Sequence, residues 1–130
     1  MAQAVAELPN ECCGLLAGRI EACSEQPTAR IVRCYPLVNA AASPREYLSD
    51  PRSMFTAVRD MRQHDLDILA VYHSHPTSDP IPSRTDLERN YSPEVVNFII
   101  SLKDGEPRMR GWWLTDTEYQ KAEWEWMEEG

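Results

Sequence analysis

His73 and His75 stand two apart where the apolar run DILAVYH (67–73) gives way to the polar stretch HSHPTSDPIPSRTD (73–86). A strand repeats its faces every two residues, so both imidazoles point the same way and one cation can take a nitrogen from each. Catalytic zinc sites hold the metal with three protein ligands and leave a fourth position to water, so a third donor is required. Asp79 and Asp86 are the carboxylates within reach along the chain, and local pattern does not separate them. The prolines of DPIPS force an extended loop that can carry the chain away and back. Ser83 is a good N-cap for a helix over RTDLERN (84–90), and S-x-x-D is also a capping box. A carboxylate at Asp86 that merely reaches back to the Ser83 backbone therefore explains the pattern as well as ligation does. A further carboxylate, Glu11, lies at the entrance of an earlier predicted strand.

The elements that must position these groups follow from periodicity and punctuation. Residues 2–8 (AQAVAEL) read as a short helix ended by Pro9, and 13–23 (CGLLAGRIEAC) as a strand bounded by glycine. After the turn-like 24–28 comes a second strand, 29–38, in which Pro36 cannot donate to a ladder and so implies an edge or a bulge. Loop signals run from Asn39 to Pro44. Asp50 before Pro51 is a helix start, and Met54, Val58 and Met61 share one face of a helix running to about His64. DILAVYH is apolar throughout, the pattern of a strand covered on both faces. VVNFIISL (95–102), the DGEP turn (104–107) and MRGWWL (109–114) predict two more strands with a tight connection. In 119–127, Ala122, Trp124 and Trp126 alternate with Glu123 and Glu125, which predicts a last strand with one packed face. Strands outnumber helices, and hairpins lie at both ends of the chain. The expected class is α+β, or α/β layered, with one central mixed sheet flanked by helices.

A chain of 130 residues suits one domain, 1–130, with a modest core. Thirteen basic against twenty-one acidic residues leave a net charge of −8, the wrong sign for a protein whose main work is neutralising phosphates, so nucleic acid is not an expected partner. The first basic residue is Arg19, and no apolar run approaches the ~18 residues that span a bilayer. The expectation is a soluble, cytoplasmic protein with no membrane partner; oligomeric state is left open. Cys12, Cys13, Cys23 and Cys34 show no CxxC pair and read as free, mostly buried thiols. The four tryptophans read as core and sheet-face packing, and His64 as a helix end without function.

The spacing H-x-H, seven residues, S, two residues, D is met by His73, His75, Ser83 and Asp86, and it resembles the JAMM motif of the JAB1/MPN/Mov34 metalloenzymes. PNECCGLLAG (9–18) is similar to that family's glutamate-bearing segment P-x-E-x-C-G-L-L-x-G, and YPLVNAA (35–41) and RGWWL (110–114) fall in the family's order. The resemblance covers essentially the whole chain. It implies the MPN/JAB fold, layered like the cytidine deaminases, with His73, His75 and Asp86 as ligands of one Zn2+. It implies Glu11 as general base and Ser83 as hydrogen-bond donor to the oxyanion. Such zinc lowers the pKa of its water from ~15.7 toward ~7 and polarises the scissile carbonyl. Between the histidines Ser74 also matches the family, and the residues themselves assign it no role beyond the turn.

Two departures stand out. Ala70 occupies a position where many relatives have glycine, a small change. The ubiquitin-gripping insertions of eukaryotic deubiquitinases have no room in this length, so the resemblance is to stand-alone prokaryotic members. These remove cysteine or a short extension from the C-terminal Gly-Gly tail of a small ubiquitin-like sulfur-carrier protein, in cysteine biosynthesis or sulfur transfer. The competing readings are a non-catalytic MPN module that only binds a ubiquitin-like partner, and a deubiquitinase-like isopeptidase. A zinc nucleobase deaminase wants H-x-E and P-C-x-x-C, and neither occurs.

Overall fold

The computed structural model describes residues 2–6, 8–21, 28–41, 50–88, 95–115 and 117–124. Its elements run α1 (Ala2–Ala6), β1 (Cys13–Glu21), β2 (Thr28–Leu37), α2 (Pro51–Gln63), β3 (Asp67–His75), α3 (Arg84–Glu88), β4 (Val96–Ser101), β5 (Arg108–Leu114) and β6 (Tyr119–Lys121). The strands form one mixed sheet in the order β2-β1-β3-β4-β5-β6, which is the expected α+β class. Among the described strands only β3 and β4 pair in parallel; the other neighbouring pairs are antiparallel. Pro36 lies on β2 at the edge of the sheet, as its missing N–H requires.

Parallel neighbours need a crossover between them. The connection from β3 to β4 carries the loop after His75 and then α3, and so returns Ser83 and Asp86 to the strand that bears the histidines. The site thus forms at the carboxyl end of β3, where the chain leaves a parallel pair, a place open α/β sheets commonly use for ligands.

Helix α2 starts as its residues dictate. The Asp50 carboxylate accepts from the Ser53 N–H at 3.1 Å, and Pro51 occupies the first turn. Ala57 and Met61 of its inner face are buried against Cys13, Leu15, Ala17, Leu37 and Leu66, with Met54 packed alongside. On the opposite face of the sheet, Ala4 of α1 joins Cys12, Ala70, Tyr72, Phe98 and Ile100. Each large side chain fully buried in these two layers stabilises the fold by roughly 1.5–3 kcal/mol.

Along β3 the two layers alternate. Val71 belongs with the α2 layer and Ala70 and Tyr72 with the α1 layer, so period two places His73 and His75 on the α2 side and Ser74 on the other. Gly14 lets the Tyr72 ring lie across β1, since a Cβ there would sit 2.1 Å from Tyr72 Cζ. At Gly18 the register slips between β1 and β2, and a Cβ would meet the Arg30 carbonyl oxygen at 1.9 Å.

Some expectations need correction. The last strand ends at Lys121. Beyond it Ala122 is buried and Trp124 packs edge-on against Phe98 at 5.4 Å, so apolar packing and not a continued ladder holds this segment; residues 125–127 lie outside those described. The first helix ends at Ala6, short of Leu8; β1 runs to Glu21, the last residue described before 22–27, and residues 22–27, 42–49 and 89–94 fall outside the described set. Cys12 and Cys13 are buried, but Cys34 is exposed because β2 is an edge strand; Cys23 is not among the described residues.

Candidate metal centre and active site

The two-residue spacing of His73 and His75 brings their Nε2 atoms to 3.2 Å from each other on one face of β3. Asp86, carried back by the crossover, spans both: Oδ1 lies 3.1 Å from His73 Nε2 and Oδ2 lies 2.9 Å from His75 Nε2. One donor atom from each residue lies within 4.8 Å of the others, and all three residues are buried. Three Lewis-basic atoms converging without solvent call for a cation among them. Two imidazoles and a carboxylate suit a divalent transition metal and leave a position for water or substrate.

Asp79 is elsewhere. Its carboxylate is exposed and 3.4 Å from Lys103 Nζ, and it contributes its backbone instead: the carbonyl accepts from His75 Nδ1–H at 2.9 Å. That bond fixes the imidazole tautomer and leaves Nε2 facing Asp86, the outer-shell arrangement that orients metal-binding histidines. Of the two aspartates, which the sequence leaves open, geometry brings Asp86 and not Asp79 against the histidines.

The capping box is real as well. Ser83 Oγ accepts from the Asp86 N–H at 3.1 Å while the Ser83 N–H donates to Asp86 Oδ2 at 2.9 Å. The same carboxylate caps its own helix and meets the two histidines, so capping and approach to the histidines coexist in one residue. Burial pushes the Asp86 carboxyl upward, but hydrogen bonds from His73 and His75 outweigh it and hold the group well below the usual carboxylate range. Burial likewise lowers His75, and the Asp86 hydrogen bond and charge overcome it, leaving the imidazole above its ordinary value.

Glu11 enters from the segment just before β1. Its side chain is buried, and its charge adds to the field that raises His75. Because Cys13 pairs with His73 across the β1–β3 ladder, the residue two positions earlier lands beside the end of β3. Two residues secure it. Asn39 Nδ2 donates to the Glu11 carbonyl at 3.0 Å, with its own Oδ1 accepting from the Ala41 N–H at 3.0 Å. On the far face of β3, buried Ser74 holds the next residue, accepting from the Cys12 N–H at 2.7 Å.

The sequence reading missed both of these. Asn39 stood among loop signals and Ser74 had no role beyond the turn. The available signal was the polar identity of Ser74 within a strand read as covered on both faces, where a hydroxyl needs a partner.

At one strand end this layered α+β domain gathers two histidines and an aspartate placed to hold a metal ion. The chain belongs to the prokaryotic homologs of the JAB domain, whose sequence profile matches residues 1–115. The desampylase of Haloferax volcanii is 36% identical over 110 residues, covering 84% of this chain and 74% of that protein. The CysO-cysteine peptidase of Mycobacterium tuberculosis is 33% identical over 104 residues, covering 80% and 67%. The solution structure of a Desulfitobacterium hafniense protein superposes with a TM-score of 0.78 at 35% identity, over 94% of this chain and 82% of that one. Among the described residues no helix is long and apolar enough to cross a membrane.

Proposed function

We propose that this chain is a zinc-dependent peptidase that hydrolyses the amide bond after the C-terminal Gly-Gly tail of a small ubiquitin-like sulfur-carrier protein. The adduct removed is a cysteine, a short extension or a conjugated protein. The observation that carries this reading is the buried convergence of His73, His75 and Asp86, with buried Glu11 on the segment that leads into the strand paired with β3. The names of the relatives, a desampylase and a CysO-cysteine peptidase, support the substrate class. We assign the activity to one JAB domain spanning 1–130, working in the cytoplasm.

In this reading His73, His75 and Asp86 hold one zinc ion. Bound there, zinc supplies a Lewis acid that acidifies water and polarises a carbonyl. Glu11 takes the proton of the attacking water and passes it to the departing amine, a transfer that requires a carboxylate outside the ligand set. The Asn39 and Ser74 hydrogen bonds hold the Glu11–Cys12 backbone from which that carboxylate projects. Ser83 donates its O–H to the oxygen that becomes negative, because Oγ uses only a lone pair to cap Asp86. An extended Gly-Gly tail suits such a site, since a tail without side chains can approach a backbone closely.

The test is direct. Zinc-loaded protein is incubated with a Gly-Gly-terminated carrier extended by one cysteine, and in parallel with linked ubiquitin dimers, and intact mass is followed. Release of cysteine with little cleavage of the dimers is expected. Cleavage of the dimers alone would overturn the substrate assignment.

A further inference from the structure

Between the two halves of the ligand set runs a loop whose three successive carbonyls are each held by one side chain. The Ser78 carbonyl accepts from Ser101 Oγ at 2.5 Å, the Asp79 carbonyl from His75 Nδ1 at 2.9 Å, and the Pro80 carbonyl from Trp112 Nε1 at 2.9 Å. The outer two donors stand on the sheet itself. Ser101 ends β4 directly opposite His75 in the parallel register, and it is buried. Trp112 sits on β5, its ring fixed edge-on by Tyr119 at 5.2 Å. The middle carbonyl also accepts from the Ile81 N–H at 2.8 Å, and the bonds on either side tie its neighbours to the sheet.

We infer that Ser101 and Trp112 are positioning residues for the metal centre: they hold the Ser78–Pro80 backbone so that the Asp79 carbonyl fixes the orientation and tautomer of His75. The inference rests on the reading of His73, His75 and Asp86 as zinc ligands, and it assigns Trp112 a polar task beyond sheet packing. Its physical basis is the energetics of ligand orientation. A histidine whose second nitrogen is anchored binds metal with its ring already turned, and loss of such an anchor weakens binding by about 10- to 100-fold. An indole N–H donating to a carbonyl 32 residues away supplies that anchor indirectly, through the rigidity of one loop.

Trp112→Phe keeps an aromatic ring and deletes the N–H; Ser101→Ala deletes one oxygen. Trp113→Phe is the control, since that neighbouring ring is 44% exposed. Zinc affinity is measured by competition with a chromophoric chelator, and exchange of the His75 Nδ1–H proton is followed by NMR in the zinc-loaded proteins. Both test variants should bind zinc about tenfold more weakly than wild type, with faster exchange of the Nδ1–H, and the control should match wild type. If Trp112→Phe fails to fold, Ser101→Ala carries the test alone. Wild-type affinity in the test variants, with the His75 proton still protected, would overturn the inference and leave the ligand assignment intact. Failure of the wild-type protein to bind zinc would remove both.

Discussion

Cys12 and Ser74 grip each other twice: the Cys12 N–H donates to Ser74 Oγ at 2.7 Å, and the Ser74 N–H donates to the Cys12 carbonyl at 3.1 Å. One partner follows the proposed base and the other separates the two histidines, so the pair ties the halves of the site into a single unit. Ser74→Ala leaves a buried N–H without its acceptor, a loss of about 1–3 kcal/mol. The expected result is a lower unfolding temperature together with reduced turnover and full zinc stoichiometry. Unchanged stability and turnover would remove Ser74 from the account.

Glu11→Gln should keep fold and zinc but lower turnover by roughly 10²–10⁴-fold, the usual contribution of a positioned general base. Glutamine has nearly the same shape and cannot take the proton. Elemental analysis beside single-turnover kinetics checks both halves of this expectation.

Asp86→Asn should abolish tight metal binding, whereas Asp79→Asn should not. The Asp79 carboxylate faces Lys103 at the surface and only its carbonyl serves the site. Zinc stoichiometry after dialysis separates the two, and the reverse outcome would show that the wrong aspartate was assigned.

Ser83 has a capping role and a proposed oxyanion role that substitution can pull apart. Glycine is a tolerable N-cap, costing only about a few tenths of a kcal/mol against serine, yet it has no O–H to donate. Ser83→Gly should therefore leave the unfolding temperature nearly unchanged and lower turnover by roughly 10²–10³-fold, the effect of losing one oxyanion donor. A large stability loss with full turnover would make capping its whole role.

The metal-free and zinc-loaded proteins should respond oppositely to pH. Without metal, the raised folded pKa of His75 means that its pairing with Asp86 stabilises fully below the ordinary value of 6.5 and is lost as pH rises through the folded value. The depressed pKa of Asp86 adds stability above its ordinary 3.8, lost only as pH falls through the lowered folded value. Zinc must displace the His75 proton, so its stabilisation grows with pH. Unfolding temperatures with and without zinc, compared from pH 5 to 9, should diverge as pH rises; a constant gap would contradict this.

What the sequence made legible was local. The Asp50–Pro51 start of α2, its buried face, the edge position of Pro36 and the shared face of His73 and His75 each depend on residues a few positions apart, and each is found. What escaped were residues whose meaning lies in distant partners. Ser74 answers to Cys12 across 62 residues, Asn39 to Glu11 across 28, Ser101 to Ser78 across 23 and Trp112 to Pro80 across 32. No periodicity records such pairs. The end of the chain was misjudged for a related reason, since alternation is equally satisfied by a strand and by an extended segment pressed onto Phe98.

The crossover from β3 to β4 has a consequence for the order of assembly. His73, His75 and Asp86 lie within one short stretch of chain, while Glu11 comes into place only when β1 pairs with β3. Closing short loops precedes long-range strand pairing in folding, because fewer conformations must be given up first. A nascent or partly unfolded chain can thus gather the three proposed ligands before the proposed base arrives. Under the proposed assignment, metal capture and hydrolytic competence then become separate events in the life of the chain, and a molecule that holds the ion before β1 pairs with β3 lacks its base.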